Sequence, residues 1–295
     1  MIIVIAADAT FFGLLRCLLL SIEEHRPPPG SGPDVAIGLL DIGLAPDQRA
    51  WAEGRVDHIV EPGWDLDLPA EQRRAKPHLR ALTTRPFLPV HFPGFDTYLW
   101  IDADVWLQNW WAVDLYRAGA RHDDIAVTPH SDRAYPLNRE MLRLRHKSYT
   151  AGFGRETAEA LWLENYLNAG IFAARATSPL WGIWAEAFQQ AIAASPDRMT
   201  LDQAALNFAW YRRGLSAQLL PAVCNWQCHL GLPAWNPRAG VFCEPYLPYA
   251  PISMLHLTGR AKNDAYEIKG LDGKTRRMQL RYPREKTGPA AQPAG

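Results

Sequence analysis

Met1-Ile-Ile-Val-Ile-Ala-Ala-Asp8 opens the chain and decides the fold class. Residues 2–6 are a continuous apolar run rich in β-branched side chains, which is typical of a parallel strand buried on both faces. Leucines spaced along one face between Leu14 and Ile22 predict a helix next, and Asp8 stands where it can cap that helix. A second apolar run follows at residues 35–40. Strand, helix and strand in this order predict a doubly wound α/β sheet.

The same alternation continues along the chain and defines the predicted domain. Residues 131–154 are basic and irregular in pattern, and residues 225–251 are rich in Pro, Trp, Gly and Asn, so we predict loops in both. We predict one α/β domain over residues 1–268 and a basic, partly disordered tail over residues 269–295. The other predicted strands are 57–60, 98–101, 125–127, 168–173, 219–220 and 252–255, and the other predicted helices are 46–53, 179–194 and 201–213.

Charge and cysteine content limit the function classes. Lys plus Arg equals Asp plus Glu, at 31 each, so no overall positive charge attracts nucleic acid and we predict no such partner. The N-terminus lacks the basic leader of a signal peptide. The apolar stretch at residues 11–22 contains Arg16 and is too short to cross a bilayer. Because four cysteines do not form a disulfide framework in a chain of this size, we predict a cytoplasmic protein.

Two aspartates follow the apolar run at residues 98–101. Asp102 and Asp104 are two positions apart, and strand alternation points both carboxylates to one side. Two such charges repel each other unless a cation lies between them. Hard oxygen ligands suit Mg²⁺ or Mn²⁺, which keep coordination positions free for phosphate oxygens. A cap or a turn is the alternative interpretation of the pair when it is taken alone.

A histidine follows the last predicted strand and opens the segment His256-Leu-Thr-Gly259-Arg-Ala-Lys262. A nitrogen ligand added to Asp102 and Asp104 shifts the preference from Mg²⁺ toward Mn²⁺. Gly259 permits close backbone approach to a diphosphate, and Lys262 supplies a compact positive charge for it. Taken alone, His256 has the alternative interpretation of a packing residue at a strand end.

Six short motifs with a fixed order surround this aspartate pair. They are Ile3-Val-Ile-Ala-Ala-Asp8, Leu40-Asp-Ile-Gly43, Arg85, Asn168-Ala-Gly170, Asp202-Gln203, and His256 with Gly259 and Lys262. In this order they resemble the GT-A glycosyltransferases, and specifically family 8, the retaining galactosyl- and glucosyltransferases related to glycogenin and bacterial lipopolysaccharide galactosyltransferases. The resemblance implies a single Rossmann-like domain with a mixed, mainly parallel sheet flanked by helices.

The resemblance also implies an activity and a set of site residues. A metal-dependent enzyme of this kind transfers a hexose from a UDP-sugar to a hydroxyl of a glycan, glycolipid or lipopolysaccharide, with retention. Asp8 would accept the uracil N–H and Phe11 would stack on the base, while Gln203 or Asp202 would lie near the β-face of the sugar. The implied metal ligands are Asp102, Asp104 and His256, and the implied nucleotide-sugar-binding residues are Ala6, Asp8, Phe11, Arg85, Asp102, Ala103, Asn168, Gly259 and Lys262.

The sequence departs from the family pattern in three places. Ala9-Thr10 stands where the family often has a polar pair, and Asn263-Asp264 follows Lys262 where the family usually has Pro-Trp. Pro86, directly after Arg85, must begin or bend a helix. A nucleotide-sugar-binding protein without turnover is the alternative function, and a nucleotidyltransferase is a second one, although no glycine-rich phosphate loop supports it.

Two further features have alternative interpretations. Cys224, Cys228 and Cys243 are either buried thiols or part of a zinc site, although their spacing is not that of a zinc finger. The basic segment near the C-terminus is either a solvated tail or a peripheral contact with anionic lipid at the inner face of the membrane. Its charges are Lys274, Arg276, Arg277, Arg281 and Arg284.

Overall fold

The computed structural model describes residues 1–136, 138–196 and 201–282. Its strands are β1 (Ile2–Asp8), β2 (Ala36–Gly43), β3 (His58–Val60), β4 (Thr97–Ile101), β5 (Val105–Leu107), β6 (Ile125–Pro129), β7 (Leu167–Arg175), β8 (Ala217–Leu219), β9 (Trp226–Gln227), β10 (Ala234–Asn236), β11 (Val241–Cys243), β12 (Met254–His256), β13 (Ala265–Lys269) and β14 (Thr275–Gln279). Its α-helices are α1 (Phe12–His25), α2 (Pro46–Glu53), α3 (Ala70–Ala75), α4 (Arg80–Thr83), α5 (Leu88–His91), α6 (Trp111–Gly119), α7 (Arg139–Leu161), α8 (Leu180–Ala194) and α9 (Asp202–Arg212).

The central sheet is mixed and mainly parallel. Within the described residues it has seven strands in the order β3-β2-β1-β4-β7-β6-β8. The pairs β3–β2, β2–β1, β1–β4 and β6–β8 are parallel, whereas β7 runs antiparallel to both β4 and β6. The predicted α/β fold class is confirmed.

Both faces of the sheet are buried, as the continuous apolar run of β1 predicts. Alternate residues of β1 enter two separate cores: Ile3 and Ile5 pack with α1, and Ile2 and Val4 pack in the core that contains α8. Trp184 of α8 is fully buried in that second core. Because both faces of the sheet are covered, a ligand would bind at the carboxyl ends of its strands.

A second, three-stranded sheet brings the C-terminal part of the chain to the end of β4. Strand β12 pairs antiparallel with β5, which places His256 opposite Val105. On its other side β12 pairs parallel with β9, which places His256 opposite Gln227. Because β5 begins directly after Asp104, these two pairings carry His256 to the aspartate pair.

Two predicted loops contain regular structure. Helix α7 occupies Arg139–Leu161, so the prediction of an irregular segment at residues 131–154 is wrong over most of its length. A helix interruption at Gly154, with φ of +85°, lies inside it. The short strands β9, β10 and β11 lie in the predicted loop region at residues 225–251.

The C-terminal segment is a hairpin that packs on the domain. Strand β13 pairs antiparallel with β14, and Ile268, Leu280 and Tyr282 are buried in the first core. The boundary predicted after residue 268 therefore falls inside this hairpin, because these apolar side chains hold it against the domain. The rest of the predicted tail, residues 283–295, lies outside the described residues. Within the described part of the chain, no helix is both long enough and apolar enough to cross a membrane.

Candidate metal and nucleotide-sugar site

The aspartate pair lies in a turn at the carboxyl end of β4. The backbone N–H of Asp102 donates to the carbonyl of Gly170 at 2.8 Å, and the N–H of Val105 donates back to the carbonyl of Asp102 at 3.1 Å. The N–H of Leu257 donates to the carbonyl of Asp104 at 2.8 Å. The turn is thus fixed to β7 on one side and to the end of β12 on the other.

Three potential metal ligands converge at this turn. One ligand atom from each of Asp102, Asp104 and His256 lies within 4.8 Å of the other two. The Nε2 atom of His256 is 3.2 Å from Oδ1 of Asp104 and 3.8 Å from Oδ2 of Asp102. Two carboxylate oxygens and an imidazole nitrogen are a ligand set that suits Mn²⁺.

The imidazole of His256 is oriented by an asparagine. Its Nδ1 lies 2.9 Å from Oδ1 of Asn225, and the amide nitrogen of Asn225 donates to Oδ1 of Asn168 at 2.9 Å. Because this second bond fixes the amide with its oxygen toward the ring, Nδ1 of His256 carries a proton. Nε2 is then the nitrogen that faces the two carboxylates.

Two positively charged side chains, Arg85 and Lys262, pair with the aspartate oxygens that do not face His256. The Arg85 guanidinium bridges Oδ1 of Asp102 and Oδ2 of Asp202, and the Trp100 indole N–H also donates to Oδ1 of Asp102, at 2.8 Å. The ammonium of Lys262 lies 2.5 Å from Oδ2 of Asp104. Oδ2 of Asp102 and Oδ1 of Asp104 therefore remain the oxygens that face His256.

The two aspartates have opposite pKa shifts. Burial raises the pKa of Asp102, and Asp104 adds to the rise, against the opposing charge of Arg85. Burial alone would also raise the pKa of Asp104, but the neighbouring His256 and Lys262 outweigh it and hold that pKa well below its usual range. Two carboxylates this close repel each other, and nearby positive charge stabilises both of them in the ionised form.

A network of side-chain amides lies beside the aspartates at the start of β7. The Asn168 amide nitrogen is 3.1 Å from Oε1 of Gln227, 3.4 Å from Oε1 of Gln203 and 3.2 Å from Nε2 of His130. Gln203 also accepts from the backbone N–H of Ala169 at 3.1 Å. Since Gln203 follows directly after Asp202 at the start of α9, this network fixes that helix end against β7.

Gly170 leaves no room for a side chain between these groups. A Cβ atom at this position would lie 2.4 Å from Cε1 of His256 and 2.8 Å from Oδ2 of Asp102. We expect Gly170→Ala to displace the imidazole and to lower the free energy of unfolding by about 1–3 kcal/mol, the usual cost of overpacking. Urea denaturation measures the change.

The matched control is Gly182→Ala, which replaces an exposed glycine inside α8 where an added Cβ meets nothing within 4 Å. We expect this control to be neutral or to stabilise by about 0.5–1 kcal/mol, because alanine favours the helix. Equal stability of the two variants would contradict the close packing of Gly170.

A cavity of about 360 Å³ opens above the aspartate pair. Lys262, Gly259 and His256 line one part of it, and side chains of α7 line another part. The predicted site residues in its lining are Arg85, Asp102, Asp104, Asn168, Asp202, Gln203, His256, Gly259 and Lys262. Arg85 reaches it from a 3-10 turn over Arg85–Phe87, in which Pro86 takes a first-turn position that tolerates proline.

The remaining predicted residues, Ala6, Asp8, Phe11 and Ala103, are not among the residues that line this cavity. Oδ1 of Asp8 accepts from the backbone N–H groups of Thr10 and Phe11, at 2.9 and 3.0 Å, so this oxygen closes the turn before α1 and does not cap the helix as predicted, because the N-cap residue is Phe11. The Phe11 ring is 40% exposed and its centroid is 5.9 Å from the Lys262 ammonium. Ala6 and Ala103 are buried in the two cores.

Several polar residues of the site were not predicted, among them Asn225, Gln227 and Trp100. Asn225 and Gln227 lie in a segment predicted as loop, and only the pairing of β9 with β12 shows that they lie beside His256. The nearest sequence signal was their alternation around Trp226, a pattern too short to define a strand.

The zinc alternative is not supported by the environment of the cysteines. Cys224, Cys228 and Cys243 are free and buried. Burial raises the pKa of the Cys224 thiol to about 12 and that of Cys243 to about 11, which disfavours the thiolate that zinc requires. Among the described residues, the group able to hold a metal ion is the one formed by Asp102, Asp104 and His256.

Comparison with known proteins gives a match at the level of structure. No protein-family model matches the chain, and no curated protein matches its sequence significantly. The galactosyltransferase LgtC, solved with donor and acceptor sugar analogues, matches with a TM-score of 0.54 and 17% identity over 88% of each chain. An active-site mutant of LgtC, with glutamate in place of a glutamine, matches with a TM-score of 0.53.

Two longer proteins contain the same fold. The bifunctional glycosyltransferase WbbM matches with a TM-score of 0.54 and 12% identity, over 87% of this chain and 45% of WbbM. The glycosyltransferase GlyE of Streptococcus pneumoniae matches with a TM-score of 0.51 and 13% identity, over 88% of this chain and 55% of GlyE. The chain therefore has the fold of the GT-A glycosyltransferases, as its sequence motifs predicted.

Proposed function

We propose that this chain is a metal-dependent glycosyltransferase that transfers a hexose from a UDP-sugar to a hydroxyl of a carbohydrate or glycolipid acceptor. The observation that carries the proposal is the convergence of Oδ2 of Asp102, Oδ1 of Asp104 and Nε2 of His256 at the carboxyl edge of a sheet with this fold. Ligands of open α/β sheets bind at this edge.

The three residues fit a divalent cation. They offer two hard oxygens and one nitrogen, and the Asn225 contact leaves the lone pair of the His256 Nε2 atom for the metal. Mn²⁺ suits this set, and Mg²⁺ is the alternative. A bound cation of this kind supplies charge neutralisation for a departing diphosphate.

Lys262 and Gly259 would hold the diphosphate. The Lys262 ammonium lies at the rim of the cavity, 24% exposed, and pairs with Asp104. Gly259 has a φ of +62°, which favours glycine, and leaves the backbone of its turn uncovered beside the cavity. Phosphate oxygens bound here would be stabilised by the lysine charge during departure.

The nucleoside would lie toward the end of β1. In the sheet order, β1 has β2 on one side and β4 on the other, and this region of an open sheet forms the ligand crevice. Asp8 ends β1, with Oδ1 engaged in the turn before α1 and the carboxylate only part-buried. The exposed Phe11 ring near Lys262 offers a stacking surface for the base.

The donor sugar would lie over Arg85, Asn168 and Asp202. Because Arg85 holds Asp202 in an ion pair, this carboxylate is placed to orient sugar hydroxyls rather than to attack as a free nucleophile. Gln203 presents its amide beside Asn168, and an active-site glutamine is the residue changed in the LgtC mutant. We therefore propose substitution at the front face of the sugar, with retention of configuration.

The orientation of His256 gives a testable prediction. We expect Asn225→Val to weaken Mn²⁺ binding about tenfold to a hundredfold, because the Nδ1 proton of His256 loses its acceptor. Asn225→Asp keeps an acceptor for Nδ1 but loses the donor to Asn168, so it should retain more affinity than the valine variant and less than the wild type. Titration of Mn²⁺ followed by electron paramagnetic resonance measures both variants. Affinity of the valine variant within about twofold of the wild type would argue against the orienting role.

Donor turnover tests the proposed function. The purified protein is incubated with a panel of UDP-sugars and GDP-sugars, with Mn²⁺ or with EDTA, and release of the nucleoside diphosphate is followed. We expect Mn²⁺-dependent release from one UDP-sugar, and NMR of a glycosylated acceptor should show the retained anomer. An inverted anomer would exclude the front-face retaining step but would leave the glycosyltransferase proposal intact. Absence of UDP binding in the presence of Mn²⁺ would refute the proposed function itself.

A further inference from the structure

An arginine on α7 is buried in the wall of the same cavity. Arg145 is 9% exposed and lines the cavity together with Leu144 and Ser148. The inward-facing residues of α7 include Leu142, Arg145 and Tyr149, whose spacing places them on one helix face. The guanidinium therefore points toward the protein interior and the cavity, not toward bulk solvent.

Arg145 has no acidic partner in the described part of the chain. Its guanidinium lies over the Tyr166 ring, 4.8 Å from the centroid, and its buried Nε atom has no hydrogen-bond partner among the described residues. The titratable groups around it are the hydroxyls of Tyr149, Tyr166 and Tyr211 and the imidazole of His130. Burial lowers the pKa of the guanidinium, but an arginine stays charged in proteins.

Arg85 in the same cavity provides the comparison. Arg85 is also buried, at 6% exposed, and is neutralised by both Asp102 and Asp202. A buried charge is normally paired because its desolvation is costly. A buried arginine that faces a cavity and lacks a carboxylate is therefore suited to receive an anion from a ligand.

The sheet order locates Arg145 relative to the proposed donor. The aspartate pair follows β4, whereas α7 follows β6, and β7 lies between these two strands. The nucleoside would lie on the other side of β4, toward β1. Arg145 is thus on the side of the cavity away from the nucleotide, where the hydroxyl acceptor must approach.

We propose that Arg145 binds an anionic group, a carboxylate or a phosphate, on the sugar that enters from the α7 side of the cavity. This inference rests on the proposed function and states that the acceptor of the transfer is an acidic sugar. The planar guanidinium can bind either anion through two parallel hydrogen bonds. A neutral acceptor would leave the buried charge without a partner.

Glycan binding tests the inference. Wild-type protein, Arg145→Met and Arg143→Met are applied, with UDP and Mn²⁺, to an array that carries matched neutral, uronic-acid, sialylated and phosphorylated glycans. Arg143 is the matched control because it is an exposed arginine on the same helix. We expect wild type and the Arg143 variant to bind acidic glycans at least about tenfold more strongly than neutral ones, and the Arg145 variant to lose this preference.

A second set of binding experiments, with nucleotide-sugar donors, tests whether the anion belongs to the donor or to the acceptor. UDP-glucuronate and UDP-galacturonate are compared with UDP-glucose and UDP-galactose for binding to the same three proteins. A preference for the uronates that depends on Arg145 would place the anion on the donor and overturn its assignment to the acceptor. The assignment to the acceptor is supported if wild type and the Arg145 variant bind the UDP-uronates with equal affinity while the variant loses its preference for acidic glycans.

Thermal stability separates a binding role from a structural one. Because Arg145 is a buried charge without a carboxylate, we expect Arg145→Met to melt at or above the wild-type temperature. A fall of more than about 4 °C would indicate that the contact with Tyr166 is structural and would contradict the inference. Arg145→Lys keeps a charge and should retain part of the acidic preference.

The outcomes distinguish this inference from the proposed function. UDP binding by the wild type with no preference for any acidic glycan would overturn the role of Arg145 and leave the glycosyltransferase proposal intact. Failure of the wild type to bind UDP with Mn²⁺ would overturn both.

Discussion

Asp104→Asn is expected to slow Mn²⁺-dependent release of UDP from the donor sugar by at least about a hundredfold. Asp104 supplies one of two carboxylate oxygens that face His256, and its other oxygen pairs with Lys262. The neutral amide removes a metal ligand and also leaves the lysine without its counter-charge. Initial rates at saturating donor, together with Mn²⁺ affinity, measure the loss.

The matched control for this change is Asp34→Asn. Asp34 is exposed and precedes β2, so it lies at the edge of the sheet opposite the aspartate pair. We expect its rate to equal that of the wild type. A rate for Asp104→Asn within about threefold of the control would show that this carboxylate does not hold the metal.

Arg85→Met is expected to lower the free energy of unfolding by about 3–5 kcal/mol. The guanidinium bridges Asp102 and Asp202, so its removal leaves two carboxylates in the interior without their main counter-charge. Urea denaturation at neutral pH measures the change. Arg155→Met is the control, because Arg155 is 83% exposed and its ion pair is with the exposed Glu159; the stability of this variant should equal that of the wild type.

A double variant tests whether the loss of stability in Arg85→Met comes from the unpaired carboxylates. Adding Asp202→Asn to Arg85→Met removes one of the two uncompensated charges, and the pair should therefore be less destabilised than the sum of the single changes. Additive losses would mean that Arg85 and Asp202 do not stabilise each other. A loss below about 1 kcal/mol for Arg85→Met would contradict the buried bridge itself.

The inner strands of the central sheet could be predicted from the sequence because they are buried on both faces. The run at residues 2–6 lies in β1, and the predicted helix at residues 46–53 coincides with α2. Strands made of continuous apolar runs can be recognised from the local sequence alone. The helix α7 was missed because its inward face includes Arg145 and Gly152 beside Leu142 and Tyr149. A charged residue and a glycine at buried positions weaken the apolar period that identifies a helix.

The site could be predicted only in part. The cavity brings together Asp102, Asp104, His256 and Lys262, which were identified by family-like motifs. Asn225 was missed because its role depends on the contact with His256, which lies across two strands and far away in the sequence. Spacing carries no signal for such contacts, and the local pattern around Asn225 resembles a loop.

Diffraction from crystals grown with MnCl₂ and UDP tests the metal site most directly. The anomalous difference map should contain a peak bounded by Asp102, Asp104 and His256, with the UDP phosphates adjoining it and Lys262 beside them. A map that shows bound UDP with no peak between these three residues, or with the manganese held elsewhere in the chain, would contradict the proposed metal-dependent transfer.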